Sequence, residues 1–483
     1  MNFYDIHPEY RNHPMLIEDT GQCVTYGDFA DFYHRVETQL DSGRLLFLFC
    51  ENSIGAVFVY LTCLNRGTVP VLLDKNLDHE LARQLIAAYQ PEYIAMPDDS
   101  CIDSHSSPEG NTTPENSKVI CSCFRYQISQ RGDAATHSPL HRDLALLLTT
   151  SGSTGSPKLV RQSRRNIASN AAAIAEYLEL NDTERPITSL PMPYTFGLSI
   201  MNSHFLVGAT VLLTRHTLFE REFWEFFRRE GATSISGVPY TFEMLKRLSF
   251  FDMELPTLRT MTQAGGKLSP KLHREFAEYA ERNGRRFIVM YGQTEATARM
   301  GYLPAKDAIR KCGSMGIAIP GGTFRLMEDE HTEITEPDVV GELVYEGENV
   351  TMGYAQTRAD LAKGDERGGV LFTGDMAKRD PDGYYYITGR KKRFLKMFGK
   401  RVNMDEIEQM IKQQYDGIDI ACTGEDDHMC IYLTQADETF CGQVEAWITE
   451  KTGLHPTGVC VMPIDAIPKN SSGKTIYKNL PEM

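Results

Sequence analysis

The sequence contains no apolar run near the ~20 residues that a membrane-spanning helix requires, so no bilayer span is expected. It contains no C-x-x-C pair either. Its 11 cysteines are odd in number and scattered, and the one close pair, Cys121 and Cys123, is a C-x-C. That spacing supplies too few ligands for a four-ligand metal site. The cysteines therefore read as mostly buried and reduced, which fits the cytoplasm. Positive charge is in deficit: 65 acidic residues face 50 lysines and arginines, a net −15. A broad nucleic-acid surface needs a positive field, so no nucleic-acid partner is expected. The opening stretch MNFYDIHPEYRNHP lacks a basic segment followed by an apolar one, and no signal peptide is expected. No internal repeat is visible.

What is present is an ordinary globular composition, 41% hydrophobic and 24% charged over 483 residues. That length allows a large core and two or more domains. Thr25 reads as the N-cap of a helix that runs through FADFYHRVETQL to Ser42-Gly43. The apolar run Leu45 to Cys50 reads as a buried strand, Ile54 to Asn65 as a helix ending at Gly67, and Val69 to Leu73 as another strand. Strand–helix–strand at this spacing predicts a parallel sheet covered by helices. Residues 98–118 are polar and rich in Ser, Pro, Asn and Asp, and read as a surface loop. From 341 the texture changes to short β segments, GELVYEG, GVLFTGD and GYYYITG. After Gly389-Arg390 the charged run RKKR precedes a new strand–helix pattern, FLKMFGKRVNMDEIEQMIKQQY, and a domain boundary is expected there.

The segment most charged with chemistry is LALLLTTSGSTGSPKLVR, from Leu144 to Arg161. An apolar strand runs into Thr150-Ser151-Gly152-Ser153-Thr154-Gly155, followed by Lys158. Glycines let backbone N–H groups approach phosphates, hydroxyls add donors, and the lysine adds charge. The spacing is not that of G-x-x-x-x-G-K-[ST], since Lys158 lies three residues past Gly155 and follows Pro157. A flexible Ser/Gly linker is the alternative, but linkers seldom follow a buried strand so abruptly.

This segment resembles the phosphate loop of the adenylate-forming superfamily: acyl-CoA synthetases, nonribosomal peptide adenylation domains and luciferases. Further segments match in the same order from about 140 to the C-terminus. Tyr291-Gly292-Gln293-Thr294-Glu295 resembles the Y-G-x-T-E motif. The resemblance implies that Tyr291 packs against adenine, Thr294 contacts the α-phosphate and Glu295 holds Mg²⁺. A hard cation suits a carboxylate oxygen. Gly265-Gly266 resembles the segment bordering adenine, although Lys267 stands where the family more often has a small residue. Thr373-Gly374-Asp375 resembles the motif whose aspartate binds the ribose hydroxyls, and Gly389-Arg390 the motif whose arginine approaches ribose and phosphate. Lys392 matches the hinge about which a C-terminal domain alternates between adenylation and thiol-transfer poses, though RKKR could equally be a solvated face. Gly399 falls in the segment that lines the thiol channel, and Met404 stands where the family often has Pro. Ile467-Pro468-Lys469-Asn470-Ser471-Ser472-Gly473-Lys474 resembles the catalytic-lysine motif, in which Lys474 bridges carboxylate and α-phosphate. Pro191 to Gly197 resembles the acyl-site segment, with Tyr194, Phe196 and Gly197 lining it and Tyr194 where many members have His. No aspartate lies between Tyr194 and Phe205, which disfavours an α-amino acid. The apolar and aromatic character of that stretch suits an acyl or aryl acid.

The expected fold is α/β. A large N-terminal domain, 1–389, has parallel sheets covered by helices plus a small β-barrel-like subdomain. A hinge at 390–393 leads to a small mobile α+β domain, 394–483. The expected function is ATP- and Mg²⁺-dependent activation of a carboxylic acid as acyl-AMP, then transfer to a thiol, CoA in the first instance. An acyl carrier protein, through its phosphopantetheine, is the alternative acceptor. The stretch between Glu295 and Asp375 shows no clear insertion of the kind that marks fatty-acyl-AMP ligases, which favours CoA. A non-catalytic nucleotide-binding module is the alternative of another class, against which the intact Lys158, Glu295, Asp375, Arg390 and Lys474 speak. A luciferase-like oxygenase stays formally open.

Overall fold

A computed structural model describes residues 2–98, 117–132, 139–149, 158–188, 190–398, 400–415, 417–469 and 475–481. By compactness these divide into two units. The second takes Phe324–Tyr345 and the described part of Phe372–Met483, and the first takes the rest. The expected boundary at 390 lies inside the second unit.

The first unit is built on two sheets. Leu45–Cys50 lies near the middle of one, flanked in parallel by Val69–Asp74 and Tyr93–Pro97. All six residues of LLFLFC are buried. Successive side chains of a strand point to opposite faces. Accordingly Leu46, Leu48 and Cys50 join one apolar cluster, while Leu45, Phe47 and Phe49 join another. The helix Ile54–Arg66, buried over eleven successive residues, covers the first face and ends at Gly67 in the left-handed region. The helix His79–Tyr89 packs with the second face. Thr25 is an N-cap as expected, in a reciprocal capping box with Asp28. That α-helix stops at Val36, earlier than its pattern suggests, and its last turn tightens to a 3-10 segment, Glu37–Gln39. Beyond Val69–Asp74 the sheet continues through Leu144–Thr149, Leu159–Ser163 and Gly353–Ala355.

The second sheet runs, strand by strand, through Arg286–Tyr291, Thr260–Gln263, Ser234–Gly237, Pro186–Thr188, Val211–Leu213 and Pro14–Glu18, all parallel to their neighbours. Parallel strands buried on both faces require helical cover. The helices Arg164–Tyr177 and Thr195–Leu206 pack against each other as part of that cover.

Gly322–Met327, Gly341–Gly347, Val370–Arg379 and Tyr385–Arg390 form a four-stranded sheet, most of whose residues fall in the second unit. After it, residues Leu395 to Val461 close a core of their own around the helices Met404–Gln414 and Glu438–Thr452 and the strands Ile420–Glu425, His428–Leu433 and Val459–Pro463. The described cysteines are all free, and no described helix is long and apolar enough to cross a membrane.

One buried charge organises the first sheet's edge. Arg161, with no exposed surface, donates to the carbonyls of Tyr354, Met352, Lys363 and Gly364 and to the Glu366 carboxylate. All five of its N–H donors are used, so burial leaves none unpaired. Replacing it strands the carbonyls. Arg161→Met is expected to lower stability by about 2–4 kcal/mol, read as a lower urea midpoint at unchanged slope. Glu366→Gln, whose carboxylate is half exposed, is expected to cost under about 1 kcal/mol.

Candidate active site

The strand Arg286–Tyr291 ends in a loop that folds back so that the Met300 N–H donates to the Tyr291 carbonyl at 2.9 Å. A Cβ on Gly292 would overlap the Ala298 carbonyl oxygen, so only glycine permits this closure. Within the loop, Thr294–Ala296 forms a 3-10 turn. The Glu295 carbonyl accepts from the Thr351 N–H at 3.0 Å, the Thr351 hydroxyl at 2.9 Å and the Arg367 guanidinium at 2.8 Å. Its carboxylate accepts from the Tyr354 hydroxyl at 2.7 Å through Oε1. Oε2 makes no hydrogen bond among the described residues.

Tyr354 gathers the cluster. Lys158 Nζ lies 3.3 Å from the centre of its ring and the Arg367 guanidinium carbon 4.7 Å from it. Cations over an aromatic face are attracted by its quadrupole. Burial, reinforced by the Glu295 charge, pushes the Tyr354 phenol up to about 12, so it stays a neutral donor to Glu295. The structure thus brings Lys158 and Glu295 to one side chain. Lys158 immediately precedes the strand Leu159–Ser163, which pairs antiparallel with Leu144–Thr149. The expected phosphate-loop residues Thr150, Ser151, Gly152, Ser153, Thr154 and Gly155 lie outside the described residues. Tyr291, Gly292 and Thr294 lie at the strand end and in the Glu295 loop, where the sequence pattern puts them.

A one-carboxylate metal position fits Mg²⁺ better than a protein cage. Among the described residues no group of three or more His, Cys, Asp or Glu could hold a metal. Mg²⁺ is commonly bound by one or two carboxylates plus substrate phosphates and water. Glu295, with one oxygen tethered by Tyr354 and the other open, suits that role.

The acid segment and the Gly-Gly turn meet. Tyr194 caps the helix Thr195–Leu206, and its hydroxyl would lie 2.6 Å from a Cβ on Gly265, a residue at φ +84°. Neither the angle nor the space admits a side chain there. Gln263 holds the turn through its amide, which donates to the carbonyls of Ala264 at 3.1 Å and Gly266 at 2.9 Å. A Cβ on Gly197 would sit 2.5 Å from the Pro191 carbonyl oxygen. Phe196 is buried and lies under the Arg299 guanidinium, whose carbon is 4.3 Å from its ring centre.

In the second unit, Asp375 and Arg390 face each other in antiparallel register, with Nε 3.8 Å from Oδ1. Lys392 is exposed. Gly399 and Lys474 lie outside the described residues. The residues flanking Lys474 are tied together: Lys469 bridges Thr475, and the Ile476 N–H donates to the Pro468 carbonyl at 2.8 Å. Three residues of the site, Tyr354, Arg367 and Arg299, carry no motif. For Arg299 a signal exists: a lone charge inside Ala296-Thr297-Ala298-Arg299-Met300.

The AMP-binding enzyme family matches residues 6–355. Indoleacetate–CoA ligase of Aromatoleum aromaticum is 26% identical, over 83% of this chain and 80% of its own length. 2-Succinylbenzoate–CoA ligase of a Geobacillus species is 26% identical, over 92% and 89%. In fold, the chain is similar to O-succinylbenzoate coenzyme A synthetase from Bacillus subtilis in complex with ATP and magnesium ion. The TM-score is 0.74 at 20% identity, covering 97% of this chain and 96% of that one. The chain belongs to the AMP-binding enzyme family and is an AMP-forming ligase of the acyl-CoA synthetase kind.

Proposed function

We propose that this protein, in the cytoplasm, uses ATP and Mg²⁺ to convert a small carboxylic acid to its acyl-AMP and then transfers the acyl group to CoA. The observation that carries the reading is the Glu295–Tyr354–Lys158 cluster at the end of the strand Arg286–Tyr291. The CoA ligases to which the chain is similar support the acceptor.

The chemistry follows from the placement. In the first half-reaction a carboxylate oxygen attacks the α-phosphorus and pyrophosphate leaves. Negative charge builds on the phosphate oxygens. Glu295 would hold Mg²⁺, which draws that charge off the phosphates when bound. Tyr354 keeps the Glu295 carboxylate in one orientation, and Lys158 adds a positive charge on the same side. Tyr291 and the Gly265-Gly266 backbone would border adenine. Asp375 would take the ribose hydroxyls, with Arg390 beside it. Lys474 would stabilise the α-phosphate during adenylation. In the second half-reaction the thiolate of CoA displaces AMP from the acyl carbon.

Rotation about Lys392 would exchange the two poses. Two features support it. Lys391 is tied back to Glu342 at 2.6 Å, on the strand Gly341–Gly347. Arg393 is buried on the other side, against Asp405, Glu408 and the ring of Tyr477 at 3.8 Å. Lys392, between them, is exposed.

Pyrophosphate exchange over a panel of acids, followed by thioester detection with CoA and with carrier proteins, tests the function. Release of ADP and phosphate in place of AMP and pyrophosphate would overturn it, and thioester on carrier protein alone would move the acceptor. Tyr354→Phe keeps the ring but frees Glu295. It is expected to weaken the Mg²⁺ dependence of exchange by roughly 10–100-fold, as loss of a ligand's hydrogen-bond partner does. Lys474→Ala is expected to slow acyl-AMP formation by roughly 10²–10³ while sparing thioester formation from preformed acyl-AMP. Lys392→Pro is expected to do the reverse, since proline fixes its own φ and restricts the preceding residue. Equal loss of both steps in both variants, with folding intact, would sink the alternation. The steps must be assayed separately, because kcat mixes them.

A further inference from the structure

Arg299 is buried to 2% exposure, yet no carboxylate contacts it among the described residues. Its Nη1 donates to the Tyr177 hydroxyl at 3.2 Å and touches the Met290 sulfur. Its Nε–H has no partner. A buried guanidinium without a counter-ion is costly, and native interiors rarely tolerate one without a use. Burial accordingly works against its charge, and only the polarisable groups of Tyr177 and Tyr194 oppose that.

The guanidinium adjoins the acid segment and also lines a small cavity. In the segment it meets Tyr194 and Phe196. The cavity, of about 20 Å³, it lines together with Ser203, His204, Ser236 and Thr262. That volume admits a small polar group. A second unsatisfied atom lies there. His204, fully buried, places Nδ1 2.8 Å from the Ile200 carbonyl, so Nδ1 is the donor and Nε2 carries a lone pair with no partner. Burial depresses the imidazole to about 4, which keeps it neutral. The one acidic group on the cavity wall, Glu184, is already engaged by Thr233 at 2.6 Å and by Arg259 at 3.4 Å. A purely apolar acyl tail would leave the Arg299 N–H unpaired, whereas the His204 lone pair needs a donor and does not discriminate between an apolar and an anionic far end. An acid with a charged far end would satisfy the arginine.

Resting on the ligase reading above, we infer that Arg299 selects the substrate: the acid carries a second anionic group, a carboxylate or sulfonate, which Arg299 binds beside Tyr194 and Phe196. The reacting carboxylate is then the one toward the phosphates. This narrows the expectation of an acyl or aryl acid to one with two charged ends and a short spacer.

The test measures kcat/KM for pyrophosphate exchange with malonate, succinate, glutarate, sulfoacetate and phthalate. Monocarboxylates of matched length and benzoate run beside them. Wild-type protein is expected to prefer a two-ended acid over its matched monocarboxylate by at least roughly 10²-fold, the discrimination that a buried polar group left unpaired imposes. Arg299→Met is expected to erase that preference, lowering the two-ended acid by roughly 10²–10³-fold and its monocarboxylate partner by less than about 5-fold. Arg299→Lys is expected to restore part of it. A merely structural arginine would lower both acids together. The wild-type panel decides even if the variants do not fold. Faster exchange with monocarboxylates than with every two-ended acid overturns this inference and leaves the ligase reading standing. Exchange with no acid at all overturns both.

Discussion

Much of the site depends on one close contact, the Ala298 carbonyl against the bare α-carbon of Gly292. It lets the chain reverse between Tyr291 and Met300 and rejoin its own strand. Thr297 takes up the turn at φ +65°. Outside partners then lock the reversal. The Asn170 amide donates to the Arg299 carbonyl at 2.8 Å, and the Asn349 amide donates to the carbonyls of Ala296 and Arg299, both at 2.9 Å. Glu295 and Arg299 are therefore fixed by the same closed loop. A site held on over-determined backbone keeps its geometry without help from substrate. The loop that sets the carboxylate proposed to hold the metal also sets the group proposed to read the acid.

The parts of this arrangement that show in the sequence are local. Leu45–Cys50 is legible because every residue is apolar and β-compatible over a strand's length. Thr25 is legible because its cap and capping-box partner lie three residues apart. Tyr291 to Glu295 is legible because a short motif follows an apolar strand. The residues that complete the site are not local. Tyr354 reaches Glu295 across 59 positions and Arg367 across 72. No periodicity relates them, since their meeting depends on the register of Gly353–Ala355 against Leu159–Ser163. Arg161 fixes that register from inside the sheet, and its charge looks like any surface arginine until burial is known. Tyr194, conspicuous where many family members have His, acquires a physical reason only when its hydroxyl is seen against Gly265.

Met404, where the family often has Pro, has an account of the same kind. It is the first residue of the helix Met404–Gln414, a position at which Pro costs no hydrogen bond. The helix start is secured differently here. Asn403 caps it, accepting from the Asp405 N–H at 3.0 Å, and the Met404 side chain enters the core beside Ile407 and Ile411. Methionine gives up proline's fixed φ and gains buried apolar area, about 25 cal/mol for each Å² removed from water.

The same helix start bears on how far a rotation at Lys392 must be driven. Asp405 accepts from the Arg390 N–H at 3.1 Å, and the Asn403 amide donates to the Thr388 carbonyl at 2.6 Å. A Cβ on Gly389 would run into the Asn403 amide. These contacts cross the proposed hinge and must part when it turns. The cluster of Arg393 with Glu408 and Tyr477 lies wholly on the far side and can travel intact. There Tyr477 donates to Glu408 at 3.2 Å, and burial pushes the Glu408 carboxyl up while Arg393 holds it down. Each of these two hydrogen bonds is worth about 0.5–1.5 kcal/mol net once water replaces the partner. Contacts of this size can be offset by nucleotide binding, since a ligand shifts such an equilibrium by its difference in affinity for the two poses.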